Sequence, residues 1–140
     1  MKVVIIGCGR VGSRLARQLE DEGHEVTLVD RDPGAFDRSS GRGVFEADTK
    51  VEFVVGDGTD AELLRRCGVE TADALVAVTE GDNRNIMAAQ IAQHVFKVPH
   101  VVCRIYDPIR EDAYRKIGLN SFCPTIEGAK QARQMLLAGC

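Results

Sequence analysis

Hydrophobic residues fall along this chain in short blocks of two kinds, and the two kinds alternate. Near-continuous runs rich in Val, Ile and Leu occupy 2–6, 25–29, 51–55, 74–78 and 100–105, and each predicts a strand buried on both sides. Between them the apolar positions recur at helical spacing. Val11, Leu15 and Leu19 make one stripe in a helix predicted over 10–22, with Gly23 as its C-cap. Ile86, Ala89, Ile91, Ala92 and Val95 form the side to be buried of a helix predicted from Arg84 to Phe96. Pro33 suits the first turn of a short helix ending near Arg38. Thr59 and Glu62 have capping-box spacing at the start of a helix through Cys67. Asp107 and Pro108 start another that runs to Ile117 and stops at Gly118. A brief strand at 121–123 and a last helix over 127–137 follow. The polar stretches "SSGRG" and "EADTK" have little to order them and read as a surface loop, the segment most prone to disorder.

Apolar strands alternating with helices predict an α/β fold. The expected form is a Rossmann-like doubly wound parallel sheet of about six strands with helices on both faces. A ligand site at the carboxyl ends of the strands follows from that architecture. At 140 residues the chain fits one domain.

Composition narrows the function. With 18 Lys and Arg against 21 Asp and Glu, the formal charge of -3 argues against nucleic acid as the main partner. The apolar runs are far shorter than the roughly 20 residues that cross a bilayer, so direct membrane insertion is not expected. Nothing resembling a leader precedes the first strand, which points to the cytoplasm. The 5 cysteines show neither a C-x-x-C pair nor zinc-ligand spacing, so reduced, buried thiols are expected and no metal site. Cys8 stands apart because it precedes a helix, where a thiol pKa can fall. It reads either as a small residue filling a tight turn or as a redox-sensitive thiol.

The candidate chemistry sits in "IIGCGRVGSRL". Gly7, Gly9 and Gly12 have the G-x-G-x-x-G spacing between a first strand and a first helix. Gly7 permits the turn, Gly9 lets a pyrophosphate approach, and Gly12 lets helix and strand pack closely. Cys8, Arg10 and Val11 share that loop. Asp30 ends the second strand, about 20 residues on, where an acid accepts from ribose hydroxyls and disfavours a 2′-phosphate. Arg31 beside it reads as an exposed cation at the adenine edge. Asp57, Gly58 and Thr59 end the third strand; Asp57 either accepts from the adenine amine or takes part in helix capping. Thr79 ends the fourth strand and Arg104 the fifth. Arg10 and Arg104 either meet phosphate or a neighbouring subunit, or form structural salt bridges. The fingerprint specifies adenosine with phosphates, so NAD or NADH and ATP, ADP or AMP remain equal candidates. His24, His94 and His100 do not converge on the strand ends, and no catalytic acid–base pair is recognised.

The combination of "VVIIGCGRVGSRLARQLEDEGHEVTLVDRD", "VVGDGTD", "ADALVAVTEGDNRNIMAAQIA" and "RIYDP…IGLN" resembles the RCK, or Trk-N, nucleotide-binding domain over nearly the whole chain. That resemblance implies a cytoplasmic regulatory subunit of a Trk- or Ktr-type potassium-uptake system. Its domains pair into homo-oligomers or rings beneath a membrane transporter or channel, and bound NAD(H), ATP or ADP changes their shape. It also implies that Arg10 lies near the phosphates and reaches toward a neighbouring subunit. Subunits of this family continue into a C-terminal domain. The chain stops at "LLAGC", so residues 1–140 are expected to be the N-terminal nucleotide-binding domain, either excised or stand-alone. The competing expectation is the cofactor domain of an NAD-dependent oxidoreductase, and a third is a scaffold for another membrane partner such as a cation antiporter.

Overall fold

The central strands are apolar because helices cover both sides of the sheet, and the alternation of side chains divides them between two cores. The edge strands are only half-buried, with Val55 51% exposed. The computed structural model describes residues 1–139; Cys140 lies outside the described residues. The strands are β1 (Lys2–Ile6), β2 (Glu25–Asp30), β3 (Glu52–Val55), β4 (Ala74–Ala77), β5 (His100–Arg104) and β6 (Ser121–Phe122). The α-helices are α1 (Arg10–Asp21), α2 (Gly34–Gly41), α3 (Ala61–Arg66), α4 (Asp82–Gln90), α5 (Pro108–Lys116) and α6 (Pro124–Ala138). All strand pairs are parallel, in the order β3-β2-β1-β4-β5-β6. The expected doubly wound, Rossmann-like sheet is the fold.

Val3 and Ile5 of β1 pack with Val26 and Leu28 of β2 against Ala16 of α1 and Ala35 of α2. Val4 and Ile6 turn the other way, toward Leu63 and Leu64 of α3 and Ile86, Ala88 and Ala89 of α4. Burial of those side chains supplies most of the driving force, at about 25 cal/mol per Å² of apolar surface.

The structure corrects several local expectations. Asp60, not Thr59, caps α3, accepting the Glu62 amide at 3.0 Å. Helix α2 runs on to Gly41, and α6 begins at Pro124, where proline fits the first turn. Val95 is 60% exposed. Helix α4 continues into a single π turn over Ile91–Val95, and the wider turn carries Phe96 onto the core in its place. The stretch from 42 to 51 is not loosely held. Phe45 and Val51 are buried, and the Phe45 and Phe53 rings meet edge to face with centroids 5.2 Å apart. Arg17 donates to the Val44 carbonyl at 3.2 Å and to Glu46 at 2.9 Å, while Glu20 accepts from the Thr49 hydroxyl and the Lys50 amide.

One contact sets the distance between α1 and the sheet. A Cβ added at Gly12 would fall on the Gly7 carbonyl oxygen, whereas one at Gly9 would meet nothing within 4 Å. Replacing Gly12 with Ala is expected to destabilise the fold by about 2–4 kcal/mol. Gly9→Ala should stay within about 1 kcal/mol of wild type. Urea unfolding midpoints of the two variants check both values.

Candidate functional site

The crossovers leave β1 and β4 toward opposite faces, so a crevice opens between their carboxyl ends. A cleft of about 720 Å³ lies there. Its floor is the glycine turn. Gly7 has φ +113°, a left-handed conformation that side chains rarely adopt, and a Cβ there would lie 2.7 Å from the Val78 carbonyl oxygen. The Gly7 amide donates to the Val29 carbonyl at 2.7 Å, tying the turn to β2. Gly9 caps α1 without a side chain, so the first-turn amides keep no side-chain acceptor and the positive end of the helix dipole faces the opening. Such an arrangement of backbone amides is suited to an anion.

Asp30 stands at the end of β2 with each carboxylate oxygen holding one backbone amide, Cys8 at 2.8 Å and Asp32 at 2.8 Å. One lone pair per oxygen is left for a ligand hydroxyl. The bond to Cys8 also locks the glycine turn against β2. Asp57 is held in the turn after β3: its Oδ1 accepts the Thr59 amide at 2.9 Å and the Thr59 hydroxyl at 2.7 Å. Those two bonds, the amide first, hold its carboxyl below the usual range. Asp57 therefore shapes its turn, while Asp60 performs the capping.

Although the chain is acidic overall, the cleft is basic. Arg10, Arg31, Arg38, Arg42, Arg84 and Arg104 line it, against the carboxylates of Asp30, Asp32, Asp57 and Glu80. Arg38 pairs with Asp32 at 2.7 Å. Arg10 is exposed, with no ion pair to a carboxylate among the described residues. Arg104 is the unusual one. It is buried without a carboxylate partner among the described residues; its Nη2 donates to the Val78 and Thr79 carbonyls at 2.9 Å each, and its Nε has no partner. Its guanidinium lies 4.6 Å from the centroid of the Tyr106 ring.

Gly7, Cys8, Gly9, Arg10, Val11, Asp30, Arg31, Asp57, Gly58, Thr59, Thr79 and Arg104 all line this one cleft. Gly12 does not; it lies beneath, against Gly7. The reading from sequence missed Arg38 on α2 and Arg42 just after it, Arg84 in the first turn of α4, and Tyr106 just past β5. It also passed over Asn85, fully buried behind Thr79. Tyr106 was within reach of the strand-end rule, which stopped at Arg104; Arg84 was not, because it belongs to the following helix. Among the described residues no group of three or more His, Cys, Asp or Glu side chains is placed to hold a metal ion. His24 lies instead at the far end of the sheet, 2.8 Å from the N-terminal amine.

Residues 3–123 match the family model for the TrkA-N domain. The chain belongs to the TrkA-N family. One relative, the Trk system potassium uptake protein TrkA of Streptomyces coelicolor, is 43% identical over 139 residues, 98% of this chain and 57% of the relative. This TrkA-N chain thus spans little more than half that protein's length. Among solved structures, the TrkA-N domain of the inner membrane protein ybaL from Escherichia coli superposes with a TM-score of 0.80 at 18% identity, covering 96% of each chain. The Kef CTD of Shewanella denitrificans in its AMP-bound form gives a TM-score of 0.78 at 21% identity, covering 100% of this chain and 83% of that one. Both likenesses are of fold. No described helix of the TrkA-N chain is long and apolar enough to cross a membrane.

Cys8 is no activated thiol. Burial raises its pKa, the Ser39 hydroxyl at 3.4 Å opposes that rise, and the Asp30 charge adds to it. Burial likewise raises Cys67 and pushes Cys103 from 9.0 to about 12. In native protein at pH 8 these three thiols should resist an aromatic disulfide reagent and react fully once unfolded. Above pH 9 the unfolded chain releases these protons while the folded chain keeps them, so it binds fewer protons and stability falls as pH rises toward 12. Denaturant midpoints taken across that range check the sign.

Proposed function

We propose that this domain binds an adenine nucleotide in the cleft, NAD(H) or ATP, ADP or AMP at the same site, and serves as the nucleotide sensor of a potassium transport system. The observation that carries the reading is the juxtaposition at the strand ends. An uncapped helix N-terminus over a glycine turn stands beside Asp30, within a cleft whose arginines outnumber its carboxylates. The helix end and arginines suit phosphates, and the free lone pairs of Asp30 suit ribose hydroxyls. The potassium-uptake name of the Streptomyces relative and the AMP bound to the Kef domain support the same reading. In this reading the domain is a regulator and not an enzyme. It works on the cytoplasmic face of the membrane, and its nucleotide state biases the conformation of a membrane transporter or channel subunit.

Calorimetric titration with NAD, NADH, ATP, ADP and AMP is the direct test. Binding is expected, with Asp30→Asn weakening every nucleotide about tenfold by removing a charge-assisted bond to ribose. Arg10→Ala should narrow the difference between ATP and ADP. Silence from all five nucleotides at millimolar concentration would overturn the reading.

Assembly belongs to the same proposal. No residue of α6 is buried, and Met135 is 70% exposed. Ile109 and Ile117 of the α5 region are 83% and 74% exposed. We expect at least a homodimer closing over these helices. Light scattering should return at least twice the 15.3 kDa chain mass, and a monomer at high concentration would refute it.

A further inference from the structure

Thr79 lies on the cleft wall just past β4, half-buried, and the residue behind it reveals which way its hydroxyl hydrogen points. Asn85 is fully buried and its carboxamide cannot be reversed. Nδ2 donates to the carbonyls of Thr79 and Arg104, each at 3.0 Å, and Oδ1 accepts the Thr79 amide at 2.8 Å. Flipped, the group would set its NH₂ against an N–H and its oxygen against two carbonyls. The atom facing the Thr79 hydroxyl at 2.6 Å is therefore an acceptor, and Thr79 must donate to it. The Gly81 carbonyl at 3.4 Å is too far to compete for that hydrogen. The Gly81 amide engages one lone pair of Oγ1, at 3.3 Å. Thr79 thus offers the cleft an acceptor and no donor.

Arg104 is its complement. A guanidinium has donors only, and here Nη2 is committed to two carbonyls, Nε is buried without a partner, and Nη1, with no hydrogen bond to a described residue, is the donor left for the cleft. The carbonyl that Nη2 shares with Asn85 is that of Thr79, so acceptor and donor are held side by side by one network. The geometry points to Thr79 and Arg104 as a paired acceptor and donor that reads a hydroxyl-bearing group beyond the diphosphate, the second sugar of a dinucleotide, with Asn85 the positioning residue that fixes the polarity of Thr79. The inference rests on the nucleotide reading above. A sugar hydroxyl satisfies both partners, donating to Thr79 and accepting from Arg104. A phosphate oxygen can only accept, so at the same point it sets its lone pairs against those of Thr79.

The test compares ADP, ATP and ADP-ribose on the intact protein and on two variants, Thr79→Val and Thr79→Ser. ADP-ribose carries the second sugar without nicotinamide. Ligand charge differs, but the ratio of the variant's effects on two ligands cancels that difference. Thr79→Val is expected to weaken ADP-ribose about three- to tenfold while leaving ADP and ATP within twofold. Thr79→Ser, which keeps the hydroxyl, should restore the wild-type pattern. Equal weakening of all three ligands by Thr79→Val, or weakening of ATP alone, overturns the inference and leaves nucleotide binding standing. Failure of wild-type protein to bind any of the three overturns both. Thermal unfolding of each variant without ligand confirms that the comparison is between folded proteins.

Discussion

The approach of α1 to the Gly7 carbonyl is the constraint on which the rest of the molecule depends. A helix can begin so close to the strand it follows only because Gly12 has no side chain there. The turn between them can close against Val78 only because Gly7 accepts φ +113°. Together these contacts place the helix N-terminus over the crevice between β1 and β4. The Asp30 bond to the Cys8 amide then fastens the turn to β2 from the other side. The distance of α1 from β1 and the placement of its first turn over the cleft are consequences of that one close packing.

Most of the architecture was legible in the sequence because the strands are too apolar to face water and the helical stripes are regular. What was not legible depended on partners remote in the chain. Residues 42–51 look unordered when read alone. Their order comes from Arg17 and Glu20, two half-buried polar residues of α1 that no local pattern connects to them. Val95 was misplaced because periodicity assumes a uniform helix, and the π turn alters the count by one residue. Thr59 was read as a cap because it has the right spacing to Glu62. Asp60, one residue closer to the helix, makes the bond instead.

The cleft shows the same division. Residues at strand ends and in the glycine turn were found by rule, since parallel sheets put ligand sites there. Arg38 and Arg42 escaped because α2 and the residue that ends it have no fixed relation in sequence to the Asp30 side of the crevice. The local excess of arginine was hidden by an acidic total, since net charge averages over surfaces that a ligand never meets. Asn85 was hidden by its setting in "DNRNIMAA", where it reads as one polar residue among several. Its importance comes from burial and from four hydrogen bonds that only the fold assembles.

That saturated carboxamide has a mechanical side. The ends of β4 and β5 are riveted through Asn85, and separating them would strand amide and carbonyl groups in a dry interior. This half of the sheet is therefore stiff at its rim. The α1–β2 half is fastened separately, through Asp30 and through the struts from α1 to the 42–51 segment. β1 and β4 are themselves paired from Val3 to Ile6 and share one apolar core with β2, so the crevice between their ends has a rim held in place on both sides before anything enters it.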